Sequence, residues 1–159
     1  MSKQLLNKWR SHIEEEDFLI LKEFVECLEQ GKTFRENLTF FDIGNGKEIF
    51  NKGSKKILCF KGKGNKKLLT EIIKLIGTDK IIHCNEYSGP IHTWGINLVI
   101  FDEYNQKIDP LLKQLSSGDE IVTRRKKYEN KANILYLTDN DENMDDILNR
   151  RVITINVNN

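Results

Sequence analysis

The chain has 159 residues, 38% hydrophobic and 31% charged, with a net charge of only +1. That length fits one domain, or one domain with a short helical preface, and any basic face must be local and offset by acidic runs. No apolar run reaches membrane-spanning length, the N-terminal MSKQLLNKWR lacks a signal-peptide core, and Cys27, Cys59 and Cys84 stand far apart without metal-ligand spacing, which together point to an intracellular protein with reduced, buried thiols.

In chain order, residues 3–29 read as one or two helices, because Phe18, Leu21, Val25 and Leu28 recur at helical spacing, and Gly31 ends them. Residues 38–50 (LTFFDIGNGKEIF) resemble a hairpin around Gly-Asn-Gly, followed by the basic loop 51–56. Residues 57–60 (ILCF) form a short apolar strand, 61–67 (KGKGNKK) a Gly/Lys-rich loop, and 68–76 a helix closed by Gly77. Residues 80–84 and 97–101 form two further strands. Asp109-Pro110 reads as an N-cap and first helical position of a short helix that ends before Gly118. Residues 133–138 and 152–157 complete a set of five strands. Strands alternating with helices, several of them continuously apolar, imply an α/β fold with a mostly parallel sheet covered on both faces.

Four places carry chemistry. The first is the turn Lys61-Gly62-Lys63-Gly64-Asn65-Lys66-Lys67 between a strand and a helix, an arrangement that cradles phosphates through backbone N–H groups and a lysine. It lacks the GxxxxGK[ST] ending: if Lys67 is the phosphate lysine, Lys66 replaces a glycine and Leu68 replaces the magnesium-binding hydroxyl, which leucine cannot mimic. The competing reading is a basic loop that binds nothing. A second Gly-Lys pair, Gly46-Lys47, fits a hairpin turn better.

The second place is NLVIFDE, where a buried strand delivers Asp102 and Glu103 to the sheet edge that holds ligands in α/β folds. Aspartate there suits Mg²⁺ and glutamate suits a general base, against the plainer reading of two acids at a strand end. The phosphate turn and the acid pair are expected on adjacent strand ends, framing a cleft. The third is the run Arg124, Arg125, Lys126 and Lys127 after a Gly-Asp turn, either a contact for phosphodiester backbones or a solvated hairpin. The fourth is Thr138-Asp139-Asn140, an acidic loop, and Arg150-Arg151 before the last strand. It reads as a phosphate sensor with an arginine acting on a neighbouring subunit, or as an acidic loop whose aspartates, Asp145 or Asp146, pair with those arginines. His83 reads as structural, and Trp9 and Trp94 as packing residues.

Taken in order, these segments resemble the superfamily 3 helicases of small DNA viruses, most closely the poxvirus- and phage-type primase–helicase ATPase, over about residues 56–157. The matching pieces are ILCF-KGKGNKK-LLTEIIKLIG, NLVIFDE, DPLLKQLSSGDEIVTRRKK and LTDNDENMDDILNRRVITINV, with a weaker match at FLILKEFVECLEQGKTFREN. Lys, Asn and Ile enrichment fits the AT-rich genomes of many viruses and mobile elements. The resemblance implies a P-loop NTPase (AAA+-like) fold, with a parallel five-stranded sheet flanked by helices. A helical segment and hairpin over 1–55 would precede an ATPase core over 56–159.

It further implies an ATP-dependent replicative DNA helicase of viral or mobile-element type, in the host cytoplasm or at a replication site. The alternative is an inactive, helicase-derived DNA-binding or assembly module. By resemblance, ATP sits between subunits of a homo-hexamer around single-stranded or forked DNA. Gly62, Gly64 and Lys67 (or Lys66) hold its phosphates, Asp102 binds Mg²⁺, Glu103 activates water and Asp139 or Asn140 senses the γ-phosphate. Arg151, or less favourably Arg150, acts in trans, and residues 124–127 touch DNA. The phosphate turn departs from the family pattern, being shortened and without its Gly-Lys-Ser/Thr end.

Overall fold

The computed structural model describes residues 2–34, 57–88, 93–116, 120–122, 127–140 and 144–158, with the backbone alone for 120–122 and 127–129. The hairpin expected over 38–50, the Gly46-Lys47 pair and the loop 51–56 lie outside the described residues, as do Arg124, Arg125 and Lys126.

Five strands form one parallel sheet: β1 (Ile57–Lys61), β2 (Ile81–Cys84), β3 (Leu98–Phe101), β6 (Asn133–Thr138) and β7 (Val152–Asn156). Their order is β2-β3-β6-β1-β7. Helices α1 (Ser2–Trp9), α2 (Glu15–Glu29), α3 (Asn65–Ile76), α4 (Asp109–Ser116) and the short α5 (Asp146–Asn149) complete the layers. A separate antiparallel pair joins β4 (Glu120–Val122) to β5 (Lys127–Glu129).

The two-residue period of the strands sorts their side chains into two cores. Leu58, Phe60, Leu98, Ile100, Leu135, Leu137, Ile153 and Ile155 face α1, α2 and α3. Ile57, Cys59, Val99, Phe101, Ile134 and Tyr136 face α4 and α5 through Ile108, Leu112, Leu115 and Leu148. Each fully buried Leu, Ile or Phe contributes about 1.5–3 kcal/mol relative to exposure, so this double burial fixes the sheet between its helices. The N-terminal helices share the first core: Leu5, Leu6, Trp9, Phe18, Leu21, Phe24, Val25 and Leu28 are all buried in it. Asn133, buried at the sheet's lower edge, donates from Nδ2 to Lys32 O (3.0 Å) and Asn97 O (3.1 Å) and accepts from Phe34 N–H. It thereby ties the tail of the helical segment to the sheet.

Several local expectations shift. Helix α3 starts at Asn65, three residues earlier than its apolar pattern suggests, so Lys66 and Lys67 belong to its first turn and the connecting turn is only Gly62-Lys63-Gly64. Asp109 is not an N-cap. It has helical dihedrals (φ −53°, ψ −44°) and its carboxylate accepts from Tyr104 Oη (2.7 Å), while Asn105 caps the preceding 3-10 turn by accepting from Lys107 N–H. A 3-10 turn inserted before Pro110 is what displaced the cap. Trp9 is buried as expected, but Trp94 is 68% exposed on the turn before β3. Cys59 and Cys84 are buried and Cys27 only half-buried, and all three are free thiols.

The two glycines of the turn have a packing reason. Gly62 has φ +113°, and a methyl group there would lie 2.5 Å from Val157 O. At Gly64 a methyl would meet Val157 Cγ1 at 2.9 Å and Trp9 Cζ3 at 3.2 Å, with an ordinary φ. A backbone carbonyl cannot retreat as a valine methyl can. Gly62→Ala is therefore expected to lower the unfolding free energy by roughly 1–3 kcal/mol, and by more than Gly64→Ala; equal urea midpoints for the two variants would contradict this packing.

Helix α1 docks on α3 through Glu71, which accepts from Trp9 Nε1 (2.6 Å) and from Lys8 Nζ. Burial pushes the Glu71 carboxyl up, but the Lys8 and Trp9 hydrogen bonds outweigh it and hold it below the usual range. A depressed carboxyl stabilises the fold above its unfolded value, and that contribution is lost as pH falls through the folded value. Acid titration followed by thermal melting should show a loss in the wild type that is blunted in Glu71→Gln.

Candidate functional site

The strand C-termini open into a cleft of about 660 Å³, lined by Asn65, Lys66, Thr70 and Ile73 of α3, by His83, by Asp102, Glu103 and Tyr104, and by Leu137 to Asn140. The acid pair and the first turn of α3 therefore do share a cavity. They are not on adjacent strands: β6 runs between β1 and β3, so Thr138, Asp139 and Asn140 form the middle of the cleft.

The cleft face of α3 selects one lysine. Lys66 projects into the cavity beside Thr70, whereas Lys67 is turned toward Glu71 and the α1 side. Leu68, at the position where a magnesium-binding hydroxyl would stand, is fully buried in the core.

The turn itself directs its N–H groups to protein carbonyls. Gly62 N–H donates to Thr138 O (3.3 Å), Gly64 N–H to Val157 O (3.3 Å) and Asn65 N–H to Gly62 O (3.2 Å). Asn65, 2% exposed, fills the gap between strand ends: its Nδ2 donates to Thr138 O (3.0 Å) and Phe60 O (3.2 Å), and lies 3.4 Å from Asp139 Oδ1. The turn is only three residues long, and the N–H groups of Gly62, Gly64 and Asn65 are already taken by those carbonyls.

At the other wall, His83 Nδ1 lies 3.1 and 3.2 Å from the two oxygens of Asp102. Both side chains are about half exposed or more, so solvent screens the pair strongly. His83 is a cleft residue, not a structural one. Periodicity could not show this, because it depends on the β2–β3 register that places His83 beside Ile100, two residues before Asp102. Asn65 was equally hidden, as one polar residue among lysines.

The donor set does not match a magnesium triphosphate. Among the described residues that line the cleft, three carboxylates (Asp102, Glu103 and Asp139) face one lysine, the N–H groups of Gly62, Gly64 and Asn65 are spent on protein carbonyls, and no group of three His, Cys, Asp or Glu is placed to hold a metal. The cleft is an acidic, half-open cavity with an apolar wall of Leu69, Ile73 and Leu137.

The arginine pair lies at the opposite sheet edge, where Arg151 O accepts from Ile57 N–H at the start of β1. Arg151 is half-buried, and its guanidinium donates to Ser116 Oγ (3.1 Å) and Lys113 O (3.4 Å), securing the end of α4. Arg150 is exposed at the C-terminal end of α5. Neither arginine takes Asp145: that carboxylate pairs with Lys113 (3.0 Å) and caps α5 by accepting from Ile147 and Leu148 N–H, and the Lys113 hydrogen bond, then Ile147, lowers its pKa. Of the basic run, only the Lys127 backbone is described, at the start of β5.

Two solved structures match nearly the whole chain. One is the JC virus (JCV) helicase with a bound inhibitor, 12% identical, TM-score 0.54, covering 99% of this chain and 45% of that one. The other is the apo C-terminal region of NrS-1, 16% identical, TM-score 0.54, covering 99% of this chain and 37% of that one. This chain spans less than half the length of either. No family model and no curated protein matches it. The likeness establishes the fold: a parallel five-stranded α/β sheet of the P-loop NTPase-like helicase type. No helix among the described residues is long and apolar enough to cross a membrane.

Three substitutions separate structural from exposed roles. Asn65→Ala is expected to cost about 1–2 kcal/mol through its lost hydrogen bonds to Phe60 O and Thr138 O, read from urea unfolding; an unchanged midpoint would mean water replaces the amide. Arg151→Ala is expected to cost about 1–2 kcal/mol through its lost hydrogen bonds, while Arg150→Ala stays within about 0.5 kcal/mol of wild type.

Proposed function

We propose that this chain is a helicase-derived module of a viral or mobile-element replication complex, which assembles on DNA without hydrolysing nucleotide through its own glycine turn. The observation that supports this reading most is the closed turn: Gly62, Gly64 and Asn65 spend their N–H groups on Thr138, Val157 and Gly62 carbonyls. A phosphate there would have to displace those bonds and lie beside an acid-rich cavity. Desolvating anionic oxygens near Asp102, Glu103 and Asp139, with Lys66 as the single facing lysine, is electrostatically unfavourable.

In this reading the basic run carries the DNA contact. Arg124, Arg125 and Lys126 stand in the sequence between β4 and β5, and Lys127 opens β5. Four cations in one short stretch of chain suit a phosphodiester backbone, with affinity that falls steeply with salt. The contact would be independent of sequence, because phosphates and not bases are met. Assembly with further copies belongs to the same proposal and follows the fold's resemblance to helicase cores.

The motor reading is favoured by one fact, that Lys66, Asp102 and Glu103 line the same cavity. A single pair of measurements separates the two. With ATP and Mg²⁺, the module shows no thermal shift and no phosphate release, and Glu103→Gln behaves like wild type. ATP turnover that disappears in Glu103→Gln would restore the motor. Reversing charge at Arg124 and Arg125 is expected to abolish salt-sensitive retention on single-stranded DNA; unchanged retention would remove the DNA role.

A further inference from the structure

Helix α3 carries two contacts on different faces. One face, with Lys66, Thr70 and Ile73, walls the cleft. Another presents Glu71, which accepts from Trp9 Nε1 at 2.6 Å and from Lys8 Nζ, and so receives α1. The same Trp9 ring lies against the turn that starts α3: a methyl at Gly64 would sit 3.2 Å from Trp9 Cζ3. The next residue, Asn65, reaches the tip of β6 through Thr138 O and Asp139 Oδ1. Val157 closes the turn from its other side, where its carbonyl accepts from Gly64 N–H, and Asn158 N–H donates to His12 O at 3.0 Å just beyond α1.

These contacts form one continuous path from α1, through Trp9, Gly64 and Asn65, to Thr138 and Asp139 in the middle of the cleft. Each step is a packed or hydrogen-bonded contact, and the turn has no slack, since Gly62 also faces Val157 O too closely to admit a side chain. We propose that α1 is a positioning arm for the cleft: docked on Glu71 it holds the turn and the tip of β6 in their closed arrangement, and released it lets Asn65 and Asp139 move apart. The input is any event that separates α1 from Glu71. This rests on the reading that the cleft is the functional site, but not on what the cleft binds.

Coupling of this kind needs an element with two states that both sites bias. Here that element is the three-residue turn. Its bonds to Thr138 O and Val157 O, both 3.3 Å, are long for N–H···O contacts, so it is the part of the sheet edge that opens first when its cover is removed.

The test is hydrogen exchange by mass spectrometry on the full chain, comparing wild type with Glu71→Leu and Trp9→Phe. The first removes both acceptors from α1, and the second removes one donor while keeping a ring against Gly64. Exchange over 62–65 and 138–140 is expected to rise on the order of tenfold, the loss of about one charge-assisted hydrogen bond, with β3 over 98–101 unchanged. A rise confined to residues 2–13, no rise at all, or an equal rise in every strand including β3 would overturn the proposal. Because no nucleotide enters the measurement, it fails or succeeds separately from the absence of ATP turnover.

Discussion

The close approach of Val157 to the turn Gly62-Lys63-Gly64 constrains everything around it. The carbonyl of Val157 stands where a side chain on Gly62 would have to be, and it also accepts from Gly64. With β1 held on both sides by β6 and β7, the turn starts from a fixed strand end and leaves no room for a side chain on Gly62. That brings α3 to an early start, puts Asn65 instead of a backbone loop between the strand ends, and leaves Lys66 as the lysine that faces the cavity. Glycine residues that suit a phosphate cradle in sequence are, in three dimensions, required by protein packed against protein.

The sheet architecture was legible because it rests on periodicity. All five strands were foreseen to within one residue of their observed bounds, β6 without error, and Phe18, Leu21, Val25 and Leu28 are buried on α2 as their spacing indicates. Strand order was not legible. Apolar runs say that strands lie in a covered sheet, not which neighbour each has, so β6 entering between β1 and β3 came only from the pairing. Gly77 closes α3 as the sequence indicates, but the helix starts failed for a related reason. Asp109-Pro110 and the run of lysines after Gly64 look like termini in one dimension, but a 3-10 turn and an Asn side chain settled the boundaries through contacts distant in sequence or particular in geometry.

The site was legible in part. Asp102 and Glu103 do reach the C-terminal edge, and Asp139 and Asn140 do line the same cavity as Lys66. Lys67 and Leu68 face elsewhere, and Arg151 is engaged by Ser116 and Lys113 while its neighbour Arg150 is exposed. His83 entered only through register. In each miss the residue type was visible and its direction was not, because direction on a helix depends on where the helix begins, and a shift of three residues in α3 turns a lysine by most of a turn.

The placement of Arg150 has a geometric consequence. It sits where β7 is about to begin, and the cleft lies where the strands finish, so the length of the sheet separates them: roughly 15 Å for a five-residue strand at its usual rise. No arginine side chain spans that distance within one molecule. Any meeting of the two surfaces requires a second copy. A two-fold pair would bring them together twice, side by side and antiparallel, whereas a head-to-tail contact would go on adding copies until the rotation closes on itself or a filament grows.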